Sequence, residues 1–212
     1  MSRGRFITFE GGEGAGKSTQ VRRLAQRLAD AAPEVVVTRE PGGSPGAEAI
    51  RELLVTGAVD RWSACTETLL MYAARRDHIE RTIRPALERG AWVISDRFAD
   101  STRAYQGAAG GAPNELIKAL EQSVLEGLKP DLTLVLDLPA PVGLARAAAR
   151  RQGETRFEDK GQAFHERLRE AFLQIAQGEP GRCVVVDATV SVDAVEKAVW
   201  AAVQDRLGVT TR

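Results

Sequence analysis

Two apolar patterns alternate along the chain. Short continuous runs recur at Phe6-Ile7-Thr8-Phe9, Val35-Val36-Val37-Thr38, Ala91-Trp92-Val93-Ile94-Ser95, Leu132-Thr133-Leu134-Val135-Leu136 and Cys183-Val184-Val185-Val186. Such runs are expected of strands buried on both faces in a parallel sheet. Between them the apolar positions recur at helical spacing, as in Val21, Leu24, Ala25 and Leu28. A short helix pattern covers Pro45 to Leu54 and ends at a break containing Gly57. A long one runs from about Thr66 towards Arg89, with a bend or break expected at Pro85, which has no N–H to donate. In that stretch Leu69, Leu70 and Ala73 read as core, and Met71 and Tyr72 would be assigned to the core as well. Residues 107 to 111 are glycine-rich and read as a mobile loop before a helix over Pro113 to Leu125. Helices from about Val142 to Arg151, about Gln162 to Ala176, and from Ser191 onward follow. Strands alternating with helices predict an α/β fold, a doubly wound parallel sheet flanked by helices. With no repeat, linker or low-complexity tract, residues 1 to 212 read as one domain. A ligand is then expected along the carboxyl ends of the strands.

The first such end is the most specific. Gly11, Gly12, Glu13, Gly14, Ala15, Gly16, Lys17, Ser18 and Thr19 fit G-x-x-x-x-G-K-[ST] at every fixed position. Glycines let backbone N–H groups curl around an anion, and the helix that follows aims its positive end at the same place. In this motif Lys17 reaches the β- and γ-phosphates and the Ser18 hydroxyl ligates Mg²⁺. A dinucleotide fingerprint is excluded, because Lys17 stands where its third glycine is required.

Other strand ends add charge. Val35 to Thr38 runs into Arg39-Glu40-Pro41-Gly42-Gly43, and the third strand ends in Asp96-Arg97-Phe98. Alone, Arg39 would read as a solvated loop charge; beside a phosphate loop, an Asp can orient Mg²⁺ waters and an Arg can clamp phosphate. Arg75 follows Met71 by four residues, so both share a helix face and could hold the edge and the flat of one planar ligand. Donors are dense from Ser101 through Thr102 and Tyr105 to Gln106. Arg146, Arg150 and Arg151, with the break from Gln152 to Arg156, have the composition of a lid closing over triphosphate, although a solvated charged face reads the same way.

Composition narrows the chemistry. Lys+Arg and Asp+Glu both number 29, so no global basic field exists of the kind that non-specific nucleic-acid binding uses. Cys65 and Cys183 lack metal-ligand spacing, and only His78 and His165 are present, which turns attention to carboxylates, Arg and Lys. Neither a signal peptide nor an apolar run of membrane-spanning length occurs, so a cytoplasmic location is the default expectation. A GTPase would need an Asn-Lys-x-Asp base-reading motif, but the sole asparagine, Asn114, precedes Glu115. A motor or partitioning ATPase would carry a strand ending in Asp-Glu or an early second lysine, and neither occurs. A small phosphotransferase remains, with an Arg-lined acceptor pocket opposite the triphosphate. Another nucleoside or nucleotide kinase and a non-enzymatic nucleotide-dependent switch are the competing readings.

At this point the ordered motifs resemble those of the bacterial thymidylate kinases over essentially the whole length. They are residues 9 to 18, Thr38 to Gly43, Tyr72-Ala73-Ala74-Arg75, Asp96-Arg97-Phe98, Ser101-Thr102 with Ala104-Tyr105-Gln106-Gly107, and residues 130 to 137. The resemblance implies a five-stranded P-loop NTPase-type sheet of the nucleoside monophosphate kinase kind, with ATP and dTMP as substrates and Mg²⁺ as cofactor. It also implies a homodimer packed through helices, with no nucleic-acid or membrane partner. It would have Lys17 stabilise the transferring group, Ser18 and Asp96 serve the metal, and Glu13 accept a hydrogen bond from the 3′-hydroxyl. Arg39 and Arg97 would hold the acceptor phosphate, Arg75 and Thr102 read the thymine edge, and Tyr105 crowd the 2′ position. Ser101 and Gln106 fall in the same substrate-binding segment, and the stretch after Asp187 would pack against adenine. Some members carry a catalytic arginine at the position of Gly14; this chain resembles those that take it from the lid, making Arg150, Arg151 and Arg156 the candidates. Met71 replaces the family's thymine-stacking Phe, leaving a thioether, or Tyr72, to cover the ring.

Overall fold

The structure is a computed structural model that describes residues 4 to 150 and 156 to 209, Arg150 by its backbone alone. Five strands, β1 (Phe6–Glu10), β2 (Val35–Arg39), β3 (Trp92–Asp96), β4 (Leu132–Asp137) and β5 (Cys183–Asp187), form one parallel sheet in the order β2-β3-β1-β4-β5. The helices are α1 (Lys17–Leu28), α2 (Pro45–Val55), α3 (Ala64–His78), α4 (Arg84–Glu88), α5 (Ala99–Thr102), α6 (Asn114–Leu125), α7 (Ala140–Arg150), α8 (Gln162–Gly178) and α9 (Val192–Leu207). Among the described residues, no helix is long and apolar enough to cross a membrane.

β1 is central and fully buried, and its alternation divides the core. Ile7 and Phe9 point into one cluster with Leu24, Leu28, Val199 and Trp200 of α1 and α9. Phe6 points to the other face, against Ile79, Ile83, Leu87 and Phe98. Each such fully buried side chain contributes roughly 1.5–3 kcal/mol. Thr8 and Glu10 lie in β1 among these buried residues, and Thr8 Oγ1 meets Thr133 Oγ1 at 2.9 Å. This polar line leads along β1 to the site.

Several expectations need correction. β2 is an edge strand, and Val37 is 49% exposed rather than buried on both sides. A continuous apolar run of this length does not reveal its place in a sheet. Leu69 and Ala73 are exposed, because α3 turns Thr68, Tyr72 and Arg75 inward. Where a bend or break is expected at Pro85, the helix passes without interruption from α3 through a π-helical turn over Ile79–Ile83 into α4. Of the loop expected over residues 107 to 111, Gly107 and Ala108 instead end a π-helical turn, Arg103–Ala108, and the chain leaves the helix only at Ala109. Gly107 is buried there, and a Cβ would stand 2.9 Å from Ile117 Cδ1 on α6.

Candidate active site

The carboxyl ends of β1, β2 and β3 open on one cleft of about 340 Å³. Glu13 to Ser18, Arg39, Met71, Arg75, Asp96, Arg97, Ser101, Thr102, Tyr105 and Gln106 all line it. The phosphate loop fits closely against α7. Gly14 has φ +69, and a Cβ there would lie 2.0 Å from the Gly143 carbonyl oxygen. No side chain fits that contact. Gly16 caps α1 in the left-handed region, and its carbonyl takes the N–H groups of Thr19 and Gln20 at 3.1 Å, so the helix starts at the loop.

Lys17 Nζ donates to the carbonyls of Gly11 at 3.1 Å and Gly12 at 2.8 Å. Burial and the charge of Arg97 pull its pKa down to about 8, against the opposing pull of Glu13, Asp96 and Glu10. Triphosphate beside it would favour the ammonium again. Ser18 Oγ donates to Asp96 Oδ2 at 2.6 Å, setting a hydroxyl and a carboxylate together at the mouth of the loop. No group of three or more His, Cys, Asp or Glu able to hold a metal occurs among the described residues. Mg²⁺ does not need one, since it binds through one or two protein oxygens, substrate phosphates and water.

Arg97 is the hub of the cleft's hydrogen bonds. It takes φ 76, rare for a non-glycine residue, while its N–H bonds Phe9 O at 2.9 Å and its carbonyl accepts from Ser95 Oγ at 2.7 Å. These bonds turn its guanidinium back to the phosphate loop. There it donates to Gly11 O at 3.0 Å, Ser101 Oγ at 3.2 Å, Glu13 Oε1 at 3.1 Å and the Tyr105 hydroxyl at 2.8 Å. Tyr105 in turn donates to Glu13 Oε1 at 2.6 Å. Burial alone would raise the Glu13 pKa, but Arg97, Lys17 and the phenol outweigh it and hold the carboxyl down at about 2. Glu13 is thus an anion aimed into the cleft.

Arg75 is 2% exposed, with Nε on Glu40 Oε2 at 2.8 Å and Nη2 on Phe98 O at 3.1 Å and Thr102 Oγ1 at 3.0 Å. Its Nη1 has no partner, although the residue lines the cleft. Such a buried donor without a partner calls for an acceptor that the protein itself does not supply. Met71 is half-buried on the same wall, whereas Tyr72 turns into the core with Ala112 and Ile117, under the Arg75 guanidinium, and does not line the cleft. Arg39 is largely exposed and pairs with Glu48 at 3.1 Å. Asp187, at the end of β5, accepts from Thr189 N and Oγ1.

The arginines expected of a lid divide. Arg151 lies outside the described residues, as does the side chain of Arg150, and Arg146 donates to Ala188 O at 3.1 Å. Arg156 is buried away from the cleft wall, beside Glu67.

Three residues escaped the motif reading. Glu40 receives Arg75 and the Nδ1 side of His78 at 2.9 Å, while His78 Nε2 meets Thr38 Oγ1 at 2.6 Å, so a buried relay fixes Arg75. Glu10 accepts from Phe98 N at 2.8 Å and from Ser101 Oγ, bracing the turn that carries Arg97. Burial first, then Asp100, pushes its pKa up to about 8. Glu10 and Glu40 lie inside recognised motifs, but no spacing signal of their own marks these roles.

The thymidylate kinase family model matches residues 9–199. The chain belongs to the thymidylate kinase family. A thymidylate kinase of Caulobacter vibrioides is 69% identical over 208 residues, covering 98% of this chain and 100% of that protein. One from Nitrobacter winogradskyi is 56% identical over 206 residues, 96% of this chain and 90% of that protein. The crystal structure of a thymidylate kinase from Ehrlichia chaffeensis superposes with a TM-score of 0.77 at 34% identity, covering 95% of this chain and 99% of that one. The chain is accordingly a nucleoside monophosphate kinase, a phosphotransferase whose parallel sheet with flanking helices is that of its family.

Proposed function

We propose that this kinase transfers the γ-phosphoryl group of ATP to dTMP, giving ADP and dTDP on the way to dTTP. The observation that carries the reading is that buried Arg75, whose Nη1 has no partner, lines the same cleft as Lys17 and Arg97. In this reading the base lies at Arg75 and its 5′-phosphate at Arg97 and Arg39, which line the same cleft. An acceptor phosphate oxygen attacks the γ-phosphorus as the bond to the β-γ bridging oxygen breaks, and ADP leaves. The nucleophile is already an anion, so positioning and charge neutralisation supply the catalysis without a protein base.

In this reading Lys17 neutralises the transferring group, Glu13 takes the 3′-hydroxyl, and Tyr105 crowds the 2′ position. Met71 packs on the thymine face with Thr102, Ser101 and Gln106 around it. The Ser18 and Asp96 oxygens fit a Mg²⁺ site; the ion, when bound, offsets phosphate charge. Gly14 supports the lid-arginine type, because its contact with Gly143 leaves no room for an arginine in the loop. One kinase domain with a lid at about 150 to 160, a cytoplasmic location and a homodimer complete the proposal. Exposed Leu69 and Ala73 on α3 give helix packing between subunits an apolar face.

ADP release measured with dTMP, dUMP, UMP, CMP, AMP and GMP tests the substrate. Highest kcat/KM with dTMP is expected, and preference for a ribonucleotide would refute it.

A further inference from the structure

The sequence offered Arg156 as a cation for the triphosphate, but its surroundings suit a different task. Its side chain is 1% exposed and its Nη1 lies 2.5 Å from Oε2 of Glu67, itself 3% exposed, on α3. Nε donates to Ala58 O at 3.0 Å, Nη1 to Leu54 O at 3.0 Å and Nη2 to Val59 O at 3.1 Å. The guanidinium therefore plugs the carboxyl end of α2, where carbonyls converge and favour a cation. Swinging it towards the phosphate loop would leave buried Glu67 with only the more distant Lys160, at 3.5 Å, as its cation.

The other oxygen of Glu67 faces the acceptor side. Oε1 accepts from Gln106 Nε2 at 2.9 Å and lies 3.5 Å from Lys160 Nζ. Phe157, next to Arg156, lines the cleft and meets the Tyr105 ring edge-on at 5.7 Å. Lys160 sits over the rings of Phe157 and Phe164 at 5.1 and 4.9 Å. Tyr105 is the residue that holds Glu13 and Arg97. A continuous set of contacts thus joins the Glu67–Arg156 pair to the acceptor pocket, through Gln106 on one side and Phe157 on the other.

We propose that Glu67 and Arg156 are positioning residues for the acceptor: their buried pair seats residues 156 to 160 on α3, so that Phe157 and Gln106 hold Tyr105 in register with Glu13 and Arg97. This rests on the reading of that side of the cleft as the dTMP site. The transition-state cation is then supplied by a residue other than Arg156.

The test compares wild type, Glu67→Gln, Arg156→Met and the double variant by kcat, KM for dTMP and KM for ATP. Arg156→Lys provides a conservative variant, and melting temperature a control for folding. Each single change should raise KM for dTMP roughly ten- to a hundredfold, with a smaller change in kcat and in KM for ATP. The double variant should be little worse than the poorer single, since both break one interaction, and Arg156→Lys should recover part of the loss. A thousandfold fall in kcat for Arg156→Met at unchanged KM for dTMP, with Glu67→Gln near wild type, would overturn the proposal in favour of direct catalysis. Wild-type kinetics throughout would also overturn it. Hydrogen exchange of the 156 to 160 amides supplies a readout that needs no substrate. Faster exchange in Glu67→Gln is expected; unchanged rates would refute the anchoring even if dTMP proved to be the wrong acceptor.

Discussion

Tyr105→Phe removes one oxygen and leaves the buried ring in place against Phe157, Phe164 and Phe172. That oxygen donates to Glu13 at 2.6 Å and accepts from Arg97 at 2.8 Å. Hydrogen bonds to charged groups contribute about 1.5–3 kcal/mol each, so the two together set the upper range. Arg97 also reaches Glu13 directly at 3.1 Å, which keeps the pair partly aligned after the change. A net loss of roughly 2–3 kcal/mol in acceptor positioning follows, equivalent to about a 30- to 150-fold fall in kcat/KM for dTMP. The assay is coupled ADP release at saturating ATP with dTMP varied, then the reverse titration. KM for ATP should stay within about threefold, because the variant leaves Lys17 and its bonds to the loop carbonyls untouched. An unchanged kcat/KM for dTMP, or a loss confined to the ATP titration, would refute the assignment of Tyr105 to the acceptor.

Other outcomes follow from the same geometry. Lys17→Ala should lower kcat by about a hundred- to a thousandfold with the melting temperature nearly unchanged; retained turnover would remove Lys17 from the mechanism. Gly14→Ala meets a 2.0 Å contact with Gly143 O at a positive φ. It should raise KM for ATP, with strain of roughly 1–3 kcal/mol visible in the melting temperature, and a wild-type variant would show that the loop does not abut α7. Glu10 has a pKa raised from 4.5 to about 8, chiefly by burial, so folding favours its protonated form. The stability this contributes is intact below pH 4.5 and is progressively lost up to about pH 8, by roughly 5 kcal/mol at most. Thermal melts from pH 5 to 9 should therefore show a smaller decline for Glu10→Gln than for wild type, and parallel curves would contradict the shift.

The sequence pattern reveals the strands and the phosphate loop because both depend on local chemistry: continuous apolar runs for the sheet, and glycines at fixed intervals for the loop. Arg75, Arg97 and Tyr105 were legible because they sit in recognisable segments at strand or helix positions facing one end of the sheet. Sheet order is set by crossover connections, and nothing within Val35 to Thr38 records that β2 lies at an edge. Leu69 and Ala73 reverse the expected helix face, since the inward face of α3 is spent on the polar groups Glu67, Thr68 and Arg75. Glu40, Glu10 and the Glu67–Arg156 pair were illegible for a related reason. Each works through a partner 35 or more residues away, as Glu40 does with Arg75 and Glu67 with Arg156, and no periodicity encodes such a meeting.

The most direct measurement follows ATP, Mg²⁺ and dTMP with the purified enzyme by phosphorus NMR. Two-nucleotide transfer predicts that the ATP γ-resonance declines as a dTDP β-resonance rises in equal amount, with little inorganic phosphate. Inorganic phosphate accumulating while dTMP stays intact would contradict it and leave a nucleotide hydrolase or switch in its place.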